Sequence, residues 1–528
     1  MDTTGNIFDR NPKLRFLKRF VEINNILMAI MGFILFAVMC TIVVIRFFFH
    51  KELSSALEYL YFALVWLFFL GACNASYEKS HLRADTLEVL VKDEKVLHIV
   101  EWVKQVLLII GLPIPLVMFG TTLFLVIFGG YSIDMLFPNA YTRLNSMTMV
   151  AFPLFIIAGG FIERGGIGEH LVNFVNLLLG RVKGGLAMMM SVCCGIFGAI
   201  SASSFAAETV IGELMIPRMN KAGYDTAISS SLLASTCMLG SFIPPSGMML
   251  VFCWLTNQPL LACFLATMIP GIVMMVAFCV WSYFKFKKDP NIIIEPAVAK
   301  GERLSHAAKV TWKSLPALFF PIFVLGAIYG GICTPSEAAA VSVFYAAFVG
   351  LFVYKKINFK DCVQIFVKTC CTAGVCGFMV FCVSMVSRIF MVENLNGAVE
   401  ALLNAMGGNR YVILLCVNIL LILFGMFLDD SSAMYICAPI LTPVLANFGI
   451  DPVHFAAIMI VNLGLGCITP PCASVLFMGA RVGKSSLTKM LPSTYSLILF
   501  VWLPMLAILT LFHDVALWLP RVMLGYGA

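Results

Sequence analysis

G-S-F-I-P-P-S at Gly240–Ser246 and G-C-I-T-P-P-C at Gly466–Cys472 are the stretches that decide how this chain folds. Each lies within a long apolar region. A Pro-Pro pair removes backbone donors and clashes with the preceding turn, so a helix cannot run through it undisturbed. In hydrocarbon every backbone N–H and C=O must be satisfied internally, and a break is tolerated only where protein encloses it or it lines a cavity. The carbonyls it frees suit a hard cation such as Na⁺. Taken singly, either break also reads as a kink that helps helices pack.

Outward from the two breaks the same landmarks recur. Ser203 precedes Pro217, which opens P-R-M-N-K-A-G-Y-D and ends at Asp225, with Pro244 following. Asp429 precedes Pro443, which opens P-V-L-A-N-F-G-I-D and ends at Asp451, with Pro470 following. One shift of 226 residues carries Pro217, Asp225 and Pro244 onto Pro443, Asp451 and Pro470. Internal repeats with interrupted apolar segments at matching places point to a secondary transporter. An odd number of spans per copy would invert one copy relative to the other, and we expect that arrangement.

Composition agrees. Of 528 residues, 61% are hydrophobic and 12% charged, against roughly 25% charged in soluble domains. The expected fold is therefore an all-α polytopic membrane protein with roughly a dozen or more spans of about 20 residues each, several short or broken. The basic start (Arg10, Lys13, Arg15, Lys18, Arg19) precedes an apolar run too long for a signal peptide, so a retained span with a cytoplasmic N-terminus is expected. The net charge of +7 arises from short basic connectors and calls for no nucleic-acid partner; membrane lipid is the surrounding medium. The 18 cysteines lie mostly in apolar runs, without metal spacing. We divide the chain into 1–103, 104–287 (first copy), a basic connector 288–313, and 314–528 (second copy).

Two clusters of candidates follow. In the first copy Ser201 and Ser203, with Gly240, Ile243 and Pro245, would form a cation site, Ile243 and Pro245 through carbonyls only. The same small residues also suit close helix packing. In the second copy Gly425, Asp429, Gly466 and Thr469 would form the equivalent site. A carboxylate at Asp429 is costly inside a membrane unless partnered, although an Asp there can also cap a helix. Arg388 either receives a substrate carboxylate or snorkels from a span end. T-P-S-E at Thr334–Glu337 reads as a capping box. G-A-R-V-G-K-S at Gly479–Ser485 is one residue short of a phosphate-binding loop and reads as a basic connector. Neither a nucleotide motif nor a hydrolase constellation is found, so an enzyme is not expected.

F-P-L-F-I-I-A-G-G-F-I-E-R-G-G-I (Phe152–Ile167), G-R-V-K-G-G-L-A (Gly180–Ala187), the P-R-M-N-K-A-G-Y-D and T-P-S-E-A-A-A motifs and the paired breaks resemble the large membrane subunit of tripartite ATP-independent periplasmic (TRAP) transporters over roughly 104–520. L-G-A-C-N-A-S-Y-E-K-S-H-L-R-A-D (Leu70–Asp85) resembles the small membrane subunit. Only two spans precede Gly111–Pro115, where that subunit usually has four, so the small-subunit part is shortened. The resemblance implies an elevator-type transport domain with two re-entrant hairpins beside a static scaffold. It implies Na⁺-coupled symport, in a bacterial inner membrane, of a small carboxylate such as a dicarboxylate or sialic acid, delivered by a periplasmic substrate-binding protein. It maps the Na⁺ sites onto the two clusters, with Cys472 added to the second, and makes Ser203, Ser204, Ser246 and Arg388 substrate contacts. The alternative is a Na⁺/carboxylate symporter of similar repeats that works without a binding protein.

Overall fold

The computed structural model describes residues 15–49, isolated positions between 60 and 127, and then 131–145, 147–180, 182–287, 289–290, 292–293, 303–405, 409–470 and 473–527. Most of the expected second span (57–70), the Leu70–Asp85 motif, the polar stretch 93–104, Gly111–Pro115 and Cys472 lie outside the described residues. Among the described residues, seven helices are long and apolar enough to cross a membrane, or nine if two bent pairs each count as a span. A single long helix, α1 (Arg15–Phe49), opens the described chain.

The first copy runs α2 (Ile133–Leu144), α3 (Met147–Arg164), α4 (Ile167–Leu179), α5 (Gly185–Ser201), α6 (Ser204–Lys221), α7 (Thr226–Cys237), α8 (Leu239–Phe242), α9 (Gly247–Thr256) and α10 (Leu260–Phe286). After α11 (Arg303–Tyr329) and α12 (Pro335–Phe348), the second copy runs α13 (Phe359–Val392), α14 (Leu395–Ala405), α15 (Arg410–Phe427), α16 (Asp430–Asn447), α17 (Pro452–Ile468), α18 (Ser474–Gly483), α19 (Leu487–Leu497), α20 (Leu503–Leu511) and α21 (Asp514–Leu524). Within the expected connector 288–313, α11 begins at Arg303 and carries Lys309 and Lys313 on a helix.

The shift of 226 reproduces helix boundaries, not only landmarks. It carries α6 onto α16 at both ends. It carries α7 and α8 together onto α17, and α10 onto the stretch from α19 through a short π-helical turn to α20. The physical cause is shared punctuation. Asp225 accepts from the N–H groups of Ala227 (2.7 Å) and Ile228 (3.3 Å), which starts α7. Asp451 accepts from Val453 (2.8 Å) and His454 (3.1 Å), which starts α17. The exception is the entry element: α13 is continuous, whereas its counterpart is bent by 53° between α2 and α3.

Glycine permits the closest approach in each copy. A Cβ on Gly240 would lie 2.7 Å from Gly198 Cα, so α8 rests directly on the last turn of α5. A Cβ on Gly466 would lie 2.5 Å from Gly425 Cα, so α17 rests likewise on α15. The copies also exchange their short helices: α9 packs on α16 of the second copy, and α18 packs on α6 and α7 of the first. Outside this body, α1 packs on α12 and α13, and α3 packs on α12. At Thr334–Glu337 the capping box forms as read: Glu337 Oε2 accepts from the Thr334 N–H at 2.7 Å, and Thr334 Oγ1 accepts from the Glu337 N–H at 3.4 Å.

Candidate functional site

Three helix starts beside the breaks are capped by the side chain of the residue before them, whereas α18, after the second Pro-Pro pair, follows Ala473 without such a cap. Ser203 is extended and its Oγ accepts from the Ala206 N–H at 3.3 Å, opening α6. Asp429 is extended and its Oδ2 accepts from the Ser432 N–H at 3.2 Å, opening α16. Ser246 accepts from the Met249 N–H at 3.3 Å, opening α9. The capping reading of Asp429 therefore holds, but at a half-buried break rather than at an outer surface. Asp430, next along, is 6% exposed.

These starts meet at one cavity of about 290 Å³, near the lower end of the roughly 300–1,000 Å³ common for small-molecule sites. Its wall includes Ser203, Ser204 and Phe205 from α6, Asp430 and Ser431 from α16, and Gly247 and Met248 from α9. Further wall comes from Ser201 and Ala202 at the end of α5, Ser241 of α8, and α3 (Phe152 to Arg164) and α13 (Ile365 to Cys376), the last two being the paired entry elements of the two copies. The copies touch across it: Ser431 Oγ lies 3.4 Å from Met248 Sδ. Three helix N-termini meet at one space and bring their positive dipole ends to it, an arrangement that attracts anions.

Two cations flank the opening. Lys368 Nζ lies 3.6 Å from Glu163 Oε1, with both side chains partly exposed. Arg164 donates to Gln364 Oε1 at 3.4 Å, an uncharged partner that leaves its charge available. Among the described residues no ion pair engages Asp429 or Asp430. Asp430 Oδ1 accepts from Ser431 N–H at 2.8 Å and Ser431 Oγ at 3.4 Å, and the Ser241 hydroxyl also reaches the carboxylate, so its partners are neutral.

The first predicted cation cluster gathers where α5 ends and α8 ends. Ser201 Oγ donates toward the carbonyls of Gly198 (3.4 Å) and Ser203 (3.3 Å), and Gly240 abuts Gly198. Ile243 and Pro245 follow α8 in the break itself. In the second cluster Gly425 abuts Gly466, Asp429 caps α16, and Thr469 Oγ1 donates to the Leu465 carbonyl at 2.6 Å, leaving its lone pairs open.

Of the predicted substrate contacts, Ser203 and Ser204 line the cavity. Ser246 is fully buried one residue behind the wall, its hydroxyl bonded to the Ser241 carbonyl. Arg388 is not brought to the cavity: it follows Cys376 by 12 residues on α13, about 18 Å of helix rise. There its Nε is buried without a hydrogen-bond partner. The cations that reach the cavity, Arg164 and Lys368, were missed. Lys368 carried a signal, being a lone lysine in an apolar run; Arg164 reads as an ordinary cation at a helix C-terminus. Gly479–Ser485 is the end of α18 and a left-handed Lys484, with no strand before it, so the phosphate-loop likeness has no structural counterpart.

Comparison with known proteins adds the following. Residues 103–515 match the family model described as Tripartite ATP-independent periplasmic transporter, DctM component. Residues 35–164 match the one described as the DctQ component of the same transporters, so 103–164 is shared by both matches. The chain is 31% identical to the C4-dicarboxylate TRAP transporter large permease protein DctM of Pseudomonas aeruginosa, over 76% of this chain and 91% of that one. It is 30% identical to the sialic acid TRAP transporter large permease protein SiaM of Vibrio cholerae, over 80% and 97%. It is 32% identical to the isethionate TRAP transporter permease protein DctMQ of Oleidesulfovibrio alaskensis, over 72% of this chain and 60% of that longer one.

Proposed function

This chain belongs to the TRAP transporter family as a permease joining DctQ and DctM components, and from that premise we propose that it couples uptake of a small organic anion to an inward Na⁺ gradient. The observation that carries the reading is the cavity where the helix starts of both copies meet, with Arg164 and Lys368 at its opening. The substrate carboxylate sits against the N-terminal ends of α6, α9 and α16, drawn in by Arg164 and Lys368. Specificity beyond the carboxylate depends on the apolar wall from Phe152, Ile156 and Val375.

Coupling follows from charge. Asp430 faces the same cavity and has no counter-ion among the described residues. A bare carboxylate there repels an incoming anion and is costly to keep buried. Na⁺ held by Asp429, Thr469 and the carbonyls about Gly425 and Gly466 offsets that charge and lets the anion enter. A second Na⁺ sits by Ser201, Ser203 and the carbonyls after Gly240. Cation before anion is thus the productive order. The exchanged helices α9 and α18 tie the copies into one body, which moves against α1, α11 and α12 as an elevator in a bacterial inner membrane, with the N-terminus cytoplasmic. A periplasmic binding protein delivers the anion.

The test is uptake of a labelled panel (succinate, N-acetylneuraminate, isethionate and ectoine) into proteoliposomes, with and without a Na⁺ gradient and the cognate binding protein. Uptake requiring both is expected. Uptake requiring Na⁺ alone supports instead a symporter that needs no binding protein. Uptake indifferent to Na⁺ overturns the coupling.

A further inference from the structure

Glu208 lies on α6 four residues after Ser204, on the same face of the helix and about 6 Å deeper than that cavity-lining residue. It is fully buried, and among the described residues neither carboxyl oxygen has a nitrogen or oxygen hydrogen-bond partner; the Cys237 thiol is within reach as a weak donor. A methyl group added at Gly479 of α18 would come within 3.0 Å of both Glu208 Oε1 and the Ser230 carbonyl. The absence of a side chain at 479 is what leaves room for the carboxyl.

The other copy supplies an internal control. Under the 226-residue shift Glu208 falls on Met434 and Gly479 on Cys253. Met434 is fully buried too. The duplicated fold is therefore satisfied by an apolar side chain at this place, and an acid there costs stability that packing does not require.

The groups facing Glu208 decide its occupant. On α5 and α7 the titratable neighbours are the thiols of Cys194 and Cys237. Along α6 itself, Glu213 and Lys221 are exposed, and Arg218 donates to Asn173 at 3.3 Å. On and just after α18, Arg481 and Lys484 are exposed. At the end of α3, Glu163 and Arg164 belong to the cavity opening. On α4, Glu169 pairs with Lys356 at 3.4 Å, and His170 stacks on Tyr354. No cation meets the carboxyl among these, and thiols are poor ligands for a hard ion such as Na⁺. A proton is the occupant that neutralises it.

We propose that Glu208 is a proton-binding site of the moving body, a carboxyl that carries a proton beside the cation and the anion. Its cargo role rests on the transport reading above, whereas its protonation does not. The first measurement is the infrared spectrum of purified protein at neutral pH in an ester-free detergent. Wild type is expected to show the carbonyl stretch of a buried, protonated carboxylic acid, shifted by deuteration. Glu208→Gln and Glu208→Met, the second being the residue the other copy already folds with, are expected to lose it. Absence of the band in wild type, or its survival in both variants, overturns the proposal. The second measurement uses vesicles loaded with pyranine under a fixed Na⁺ gradient. With the carboxylate identified by the uptake panel, wild type should acidify the interior and Glu208→Gln should not. Exchange of labelled for unlabelled anion, which needs no net proton movement, separates loss of the proton from loss of the fold. Unchanged acidification in Glu208→Gln overturns the proposal, as does a raised half-saturation for Na⁺, which would make Glu208 a sodium ligand. If no carboxylate enters at all, the transport reading fails, and the infrared band still decides whether Glu208 holds a proton.

Discussion

The two copies share a backbone and differ in charge. Helix α6 and helix α16 have the same length, cap type and place in the order, yet one opens with Ser203–Ser204 and the other with Asp429–Asp430. The glycine contact is present in both, made by α8 on α5 in the first copy and by α17 on α15 in the second. Under the proposed function, backbone breaks set where ions and substrate bind, while side chains distribute the charge between two otherwise matching places. The first copy offers hydroxyls and carbonyls; the second offers carboxylates.

The sharpest way to break that comparison is to neutralise each cap in turn. Asp429→Asn removes a charge that no neutral ligand replaces, and Na⁺-driven uptake should fall about 100-fold, a loss of roughly 2–3 kcal/mol. Ser203→Ala removes one neutral ligand and should cost about 10-fold, chiefly as a raised half-saturation for Na⁺. Equal losses would mean that the charge difference has no functional meaning. Next come the glycine contacts. Gly240→Ala and Gly466→Ala each place a methyl group into a facing backbone, and each should destabilise by about 1–3 kcal/mol, read as lower melting temperatures in detergent. A large effect in only one copy would show that the duplication is superficial there.

Smaller effects sharpen the picture. Arg164→Gln and Lys368→Gln should raise the half-saturation for the anion about 10-fold at unchanged Na⁺ affinity. Arg388→Gln, off the cavity, should leave it unchanged. Smallest are the matched caps: Asp225→Ala and Asp451→Ala should each cost about 1 kcal/mol, in equal measure, with uptake kinetics intact in the folded fraction.

Much of this architecture was legible in the sequence because it is written in residues with local consequences. Proline, glycine and capping aspartates act within a turn of where they stand, so landmarks matched only by spacing in the sequence, Asp225 and Asp451 among them, coincide with the starts of α7 and α17. The capping box at Thr334 was readable for the same reason. Arg388 shows where such reading stops. It shares α13 with Lys368, and only the placement of α3, α6, α9 and α16 about the cavity determines which turn of α13 meets it. The exchange of α9 and α18 is equally non-local, since both helices are short and apolar and nothing in their own residues names a partner. Glu208 offers no local signal of its own, because its meaning comes from Met434 and Gly479, far away in the chain.

That exchange also bears on how the protein is made. The ribosome delivers α6 and α7 long before α18, which covers them, has been synthesised. At roughly 5–20 residues per second, the interval is on the order of tens of seconds. Throughout it the first copy must sit in the membrane with the face that will hold Glu208 and Ser230 unsealed. A half-made chain is thus a natural client for an insertase or membrane chaperone, and truncation anywhere before Ser474 leaves a first copy that has been inserted but never closed.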